Sequence, residues 1–148
     1  MEHMVLSSVF KQMGVISVSA ITTVQAACSI LASRDTNIVF VTENNTIVGY
    51  FTEHDLVRVV AQKMDPETTQ LRRVMVPVTA TISPLDTTDK ALSVMREYGV
   101  RHLPVEVNGE IIAVLSIQEL YECMRVELED GMRRIRSYVN GDVYGVTA

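Results

Sequence analysis

The feature that most constrains this chain is that much of it is written twice. Thr22-Thr23 matches Thr87-Thr88, and at the same offset of 65 residues Ala26, Ala27 and Ile30 fall on Ala91, Leu92 and Met95. The spacing within each set predicts the buried stripe of a helix. Ile38-Val39-Phe40-Val41 then falls on Leu103-Pro104-Val105-Glu106. With the offset dropping to 64, Ile47-Val48-Gly49-Tyr50-Phe51-Thr52 falls on Ile111-Ile112-Ala113-Val114-Leu115-Ser116. These apolar runs predict a hairpin in each copy, closed by the turns Glu43-Asn44-Asn45-Thr46 and Val107-Asn108-Gly109-Glu110. A second helix follows each hairpin, with Leu56, Val59 and Val60 mapping onto Leu120, Cys123 and Met124 at i, i+3, i+4 spacing. Residues 15–18 and 80–83 are expected to open each copy as a short strand, preceded by segments at 10–13 and 73–75.

Each copy therefore reads as β-α-β-β-α, and the fold class as α+β (α/β). The expected division is repeat 1 at 7–63, repeat 2 at 72–130, and a helical extension and tail at 131–148, with 64–71 as the linker. Sixty-odd residues bury only a marginal core, so the copies are expected to pack on each other through their sheets about a pseudo-two-fold axis. The 148 residues leave no room for a catalytic domain beside this pair. A net charge of −5 argues against a binder of duplex nucleic acid, which needs a basic surface. Two cysteines, Cys28 and Cys123, are too few for a disulfide framework and sit on core stripes, which points to a cytoplasmic protein. Residues 14–33 carry no charge, yet 7 of these 20 are Ser, Thr or Gln, so no membrane association is expected.

Three blocks carry a family resemblance: Thr81-Ile82-Ser83-Pro84 leading to Thr87-Thr88, then Gly99-Val100-Arg101-His102-Leu103-Pro104-Val105, and Gly49-Tyr50-Phe51-Thr52-Glu53-His54-Asp55-Leu56. Ordered and repeated over residues 10–129, they make the sequence resemble a tandem pair of CBS domains, the module that senses adenosine ligands. The resemblance implies two clefts per chain and commonly a dimer of modules. It implies that Asp55 holds a ribose diol, with Thr52 and the helix it opens facing phosphate or ribose oxygens. Adenine would lie in an apolar slot lined by Ile16, Ile38 and Phe40. In the second copy the matching positions are Thr81, Arg101, His102, Pro104, Ser116 and Glu119. That copy departs from the pattern at Ala113, in place of Gly49, and at Glu119, in place of Asp55. Basic side chains thus sit in one copy and the shorter carboxylate in the other. A phosphorylated ligand near Asp55 is expected to draw on Arg101 or His102 across the pseudo-two-fold or from a second chain.

The same residues have a ligand-free reading. Thr52-x-x-Asp55, Ser116-x-x-Glu119 and Thr22-x-x-Gln25 all fit the helix capping box. Arg101 also reads as a solvated cation, and His102 as a capping or packing residue. His54 and Asp55 are adjacent on a helix and do not face each other, and His3, His54 and His102 show no metal-ligand spacing. No phosphate-cradling glycine loop or nucleophile elbow is present. The chain is accordingly expected to be a regulatory module and not an enzyme. It would have no cofactor, an adenine nucleotide or S-adenosylmethionine as regulatory ligand, a separate effector protein as target, and a homodimeric assembly. The alternative is a ligand-independent scaffold that dimerises or docks a partner. Beyond repeat 2, residues 125–138 read as a charged helix with Gly131 as a candidate break. Met132, Ile135, Tyr138 and Val139 form an apolar edge on it.

Overall fold

The first hairpin forms where a two-residue turn lets it form. Asn44 and Asn45 both adopt positive φ, as do Asn108 and Gly109 in the second copy, the geometry that matches the twist of flanking strands. The structure, a computed structural model, describes residues 15–139. The expected segment at 10–13, the first residues of repeat 1 and the tail from 140 onward lie outside the described residues. Repeat 1 runs β1 (Ser17–Ser19), α1 (Val24–Arg34), β2 (Ile38–Glu43), β3 (Thr46–Thr52) and α2 (Glu53–Ala61). A short α3 (Leu71–Val74) and β4 (Val76–Pro77) lead into α4 (Thr88–Tyr98), β5 (His102–Val107), β6 (Glu110–Ser116) and α5 (Ile117–Val139). The four-stranded sheet has the order β1-β2-β3-β4, with β1 parallel to β2 and the other pairs antiparallel. Strands β5 and β6 form the second sheet. The expected opening strand of repeat 2 reduces to one parallel bridge, Ile82 to Val105. Pro84 and the turn in which Ser83 N–H reaches Asp86 Oδ2 at 2.9 Å take the backbone out of the ladder.

One offset of 64 relates α1 to α4, β2 to β5, β3 to β6 and α2 to the start of α5, which corrects the offset of 65 expected for the first helix and strand. Helix N-caps Thr23 and Thr87, left-handed C-caps Asp35 and Gly99, and the bulges after Val41 and Val105 all obey it. The two Thr-Thr pairs had drawn the alignment one residue out. In consequence Ala26 is exposed, and the buried stripe of α1 is Val24, Ala27 and Leu31, matching Thr88, Ala91 and Met95. The capping box expected at Thr22-x-x-Gln25 is replaced by Thr23, whose hydroxyl accepts the Ala26 N–H at 3.2 Å. On α2 the buried positions are Asp55 and Val59, whereas Val60 is exposed. Gly131 does not interrupt α5, which runs unbroken for 23 residues.

Alternation along the strands divides the core into three. Val39, Val41 and Phe51 face the helices of repeat 1 together with Val24, Ala27, Leu31 and Val59. Leu103, Val105 and Leu115 do the same in repeat 2 with Ala91, Met95 and Leu120. Between the sheets Ile38, Phe40 and Tyr50 of repeat 1 pack with Ile111 and Val114 of repeat 2, and with Val76 and Val78 of the connection. The fold is thus two related repeats packed through their sheets, as the repeat predicts, β-α-β-β-α in the first and the same order in the second with its opening strand reduced to the Ile82 bridge.

Residues 64–71 connect the repeats but are bound to repeat 1. Thr69 and Leu71 are buried, and the first turn of α1, whose N–H groups lack helical acceptors, donates Val24 N–H to Thr69 O and Gln25 N–H to Pro66 O, each at 2.9 Å. Strand β4 then lies across Gly49, where a Cβ would stand 2.8 Å from Val76 O and 2.7 Å from Met75 Sδ. The glycine is demanded by that backbone approach. Gly49→Ala is expected to cost about 1–3 kcal/mol by forcing β4 away, read as a lower midpoint in denaturant unfolding.

Candidate functional site

Thr52 ends β3 and opens α2 with extended backbone angles, and three residues on Asp55 turns back to it. Asp55 Oδ2 accepts the Thr52 N–H at 2.8 Å and the Thr52 hydroxyl at 3.0 Å, and Oδ1 accepts from Arg58. The carboxylate is buried while Arg58 is more than half exposed. The equivalent corner of repeat 2 is capped by Ser116, whose Oγ accepts the Glu119 N–H at 3.1 Å. Glu119, although its residue is exposed, also turns its carboxylate back to the Ser116 hydroxyl and backbone, and burial raises its pKa against those two bonds.

These two corners meet. A cleft of about 200 Å³ is lined by Asn37, Thr52, Glu53 and His54 from repeat 1 and by Arg101, His102, Ser116, Ile117 and Gln118 from repeat 2. At the 64-residue offset Asn37 pairs with Arg101, Thr52 with Ser116, Glu53 with Ile117, and His54 with Gln118, so the cleft straddles the pseudo-two-fold axis. The N-termini of α2 and α5 both open at it, and helix N-termini carry partial positive charge and N–H groups without helical acceptors. Ile117 N–H is taken by Arg101 O at 2.8 Å, which ties the start of α5 to the residue before β5.

His102 joins the cleft to the core between the sheets. Its ring lies 6.2 Å from that of Tyr50, whose hydroxyl reaches His102 O at 3.5 Å. Burial lowers the His102 pKa from its ordinary value, and Arg101 pushes the same way against a weaker-than-burial pull from Asp55. Burial, with the Asp55 charge beside it, pushes the Tyr50 hydroxyl up to about 12. His102 is therefore held toward its neutral form beside a permanent cation.

Of the residues singled out in the sequence, Thr52, Arg101, His102 and Ser116 line this cleft. Asp55 lies behind Thr52 and reaches His102 through its charge. Ile38 and Phe40 are in the inter-sheet cluster, and Ile16 packs with the helix-side core of repeat 1, its carbonyl accepting Phe40 N–H at 2.8 Å. Pro104 is buried and its carbonyl accepts Ile82 N–H at 3.0 Å, with Thr81 half-buried beside that bridge. Asn37, Glu53, His54, Ile117 and Gln118 were not among the expected ligand contacts. The 64-residue register makes Asn37 the mate of Arg101 and the start of α2 the mate of the start of α5, but it says nothing of their sharing a cleft. Both cysteines are half-buried on helix faces, and burial pushes the Cys28 thiol up, away from the reactive thiolate.

Residues 8–62 and 71–125 each match the family model of the CBS domain. The chain belongs to the CBS-domain family. Its CBS repeats are 34% identical over 112 residues to the CBS domain-containing protein CBSCBSPB1 of Arabidopsis thaliana, covering 74% of this chain and 21% of the plant protein. The chain thus spans about a fifth of the length of the plant relatives it matches. Among solved structures, the CBS-domain containing protein ATU1752 from Agrobacterium tumefaciens superposes with a TM-score of 0.66 at 27% identity, over 74% of this chain and 89% of that one. The CBS domain protein PAE2072 from Pyrobaculum aerophilum, solved in complex with AMP, gives 0.67 at 25% identity over 78% and 89%. The CBS domain pair of MJ0100, in complex with 5′-methylthioadenosine and S-adenosylmethionine, shares the fold at 13% identity, with a TM-score of 0.72 over 85% and 99%. No helix among the described residues of this CBS pair is long and apolar enough to cross a membrane.

Removing the Asp55 carboxylate leaves the buried Thr52 N–H and hydroxyl without their acceptor. Asp55→Ala is expected to destabilise the protein by about 1–3 kcal/mol in denaturant unfolding, with Asp55→Asn retaining part of the cap.

Proposed function

We propose that the chain is a regulatory ligand-sensing module that binds an adenosine derivative between its CBS repeats and signals occupancy to a separate effector protein. The observation that carries this reading is the cleft on the pseudo-two-fold axis, where two helix N-termini converge beside Arg101 and His102. A phosphate seated there meets two positive helix ends and a guanidinium, all favouring the same charge. The ribose diol takes Asp55 Oδ1 by displacing the exposed Arg58 side chain, while Oδ2 keeps the helix capped. Adenine takes the apolar side, where Tyr50 joins Ile38 and Phe40 to the cleft through His102. The AMP complex of the Pyrobaculum aerophilum relative supports the ligand class. Occupancy becomes a signal to the extent that the ligand binds two arrangements of the repeats unequally.

One observation favours the ligand-independent scaffold as the second reading: the corners at Thr52 and Ser116 are capped within the chain itself. Thermal unfolding against AMP, ADP, ATP, S-adenosylmethionine and a GTP control separates the two. Under the sensor reading, an adenosine compound at ~100 times its dissociation constant adds about 2.7 kcal/mol, a shift on the order of 5 °C. Arg101→Ala abolishes that shift for phosphorylated ligands and leaves the melting temperature of the unliganded protein in place. A panel that moves nothing transfers the assignment to the scaffold.

The lowered His102 pKa adds a pH test with a definite sign. A bound phosphate stabilises the imidazolium and raises that pKa, so binding takes up a proton. Affinity for a phosphorylated ligand rises as pH falls toward the lowered pKa of the unliganded imidazole, and His102→Ala flattens the dependence, as titration calorimetry in buffers of different ionisation heat will read.

A further inference from the structure

Past Met124, the last side chain of α5 packed on the core of repeat 2, the helix continues for 15 residues to Val139. Leu128, Met132, Ile135 and Val139 are all more than half exposed there. With Met124 they stand at spacings of four, four, three and four, which at 3.6 residues per turn is a single stripe. Short helices are marginal in water unless such a stripe is covered.

The charges around the stripe say what covers it. Residues 127–136 read Glu-Leu-Glu-Asp-Gly-Met-Arg-Arg-Ile-Arg. Reversed, the segment exchanges Glu127 with Arg136, Glu129 with Arg134 and Asp130 with Arg133, and returns Leu128 to Ile135. On the helix, Glu127 and Arg134 lie seven apart along one edge of the stripe, and Glu129 and Arg136 lie seven apart along the other. An antiparallel second copy presents the same edge to each edge, so acid meets base on both sides. A parallel copy in register faces the Glu127–Arg134 edge with the Glu129–Arg136 edge, so acid meets acid and base meets base. Gly131 at the centre weakens the helix relative to alanine, and among the described residues nothing lies within 4 Å of the Cβ it lacks. Its own fold does not require it. Opposite a second copy it makes room for Met132.

We propose that two copies of this chain pair their α5 helices antiparallel about a two-fold axis between Gly131 and Met132. Leu128 packs on Ile135, Glu127 pairs with Arg134, and Glu129 pairs with Arg136 of the second copy. Asp130 and Arg133, 3.8 Å apart on the outer face, keep their pair within the helix, and Glu129 trades its contact with Arg125 for the new one. The pairing involves no residue of the cleft and stands or falls separately from the ligand.

Sedimentation of the full chain across a micromolar-to-millimolar series tests it, with circular dichroism to verify that the helix persists. The wild type is expected to dimerise. Arg134→Glu with Arg136→Glu raises the dissociation constant on the order of tenfold or more, because four attractive pairs become repulsive. Adding Glu127→Arg and Glu129→Arg to that variant restores the dimer. In a background with Cys28→Ala and Cys123→Ala, Leu128→Cys and Ile135→Cys chains form a disulfide with each other when mixed and neither forms one alone. A wild type that stays monomeric, a dimer indifferent to the charge reversal, or a Leu128→Cys chain that cross-links to itself overturns the proposal.

Discussion

The contact between the two sheets is what the remainder of this molecule depends on. Ile38, Phe40 and Tyr50 meet Ile111 and Val114 there, and the connection contributes Val76 and Val78 to the same cluster. Neither repeat has enough apolar surface to stand well alone, so this shared layer joins two marginal cores into one stable unit. It also dictates where function can sit. Packing two like units about a two-fold brings like corners together, and here the corners are the strand-to-helix junctions at Thr52 and Ser116.

Symmetry of backbone then becomes a frame for asymmetry of chemistry. Every lining position but His102 has its mate in the cleft, yet the mates differ: Asn37 against Arg101, Glu53 against Ile117, His54 against Gln118. One wall is cationic and the other carries the carboxylates of Glu53 and, deeper, Asp55. The positive helix ends are common to both, because they come from the backbone. His102 sits where polar cleft and apolar layer join, and burial there lowers its pKa.

The atoms that cap these helices are the ones the proposed ligand would meet. A carboxylate at the third helical position reaches back to the cap whether or not anything is bound, and the free lone pairs then point toward solvent or a diol. Asp55 illustrates the overlap, with one oxygen committed to Thr52 and the other to an exposed arginine. Glycine is similarly diagnostic of close approach. Gly49 admits the β4 backbone, whereas Ala113 at the matching position is buried without a described strand across it.

The sequence by itself determined the repeat, the β-α-β-β-α order, the hairpin turns and the packing of the copies through their sheets. Each of these follows from local periodicity or from the special φ angles that Asn and Gly accept. Of the eleven residues it marked for ligand contact, Thr52, Arg101, His102 and Ser116 line the cleft. Register was harder, since Thr22-Thr23 and Thr87-Thr88 are locally equivalent and only burial of Ala27 over Ala26 distinguishes the frames. Tertiary structure alone decided that residues 64–71 satisfy the start of α1, and that β4 crosses Gly49. It also decided that Asn37, Glu53, His54, Ile117 and Gln118 share a cleft with the expected residues. Those are meetings between segments far apart in the chain, and no local pattern encodes a distance that only packing creates.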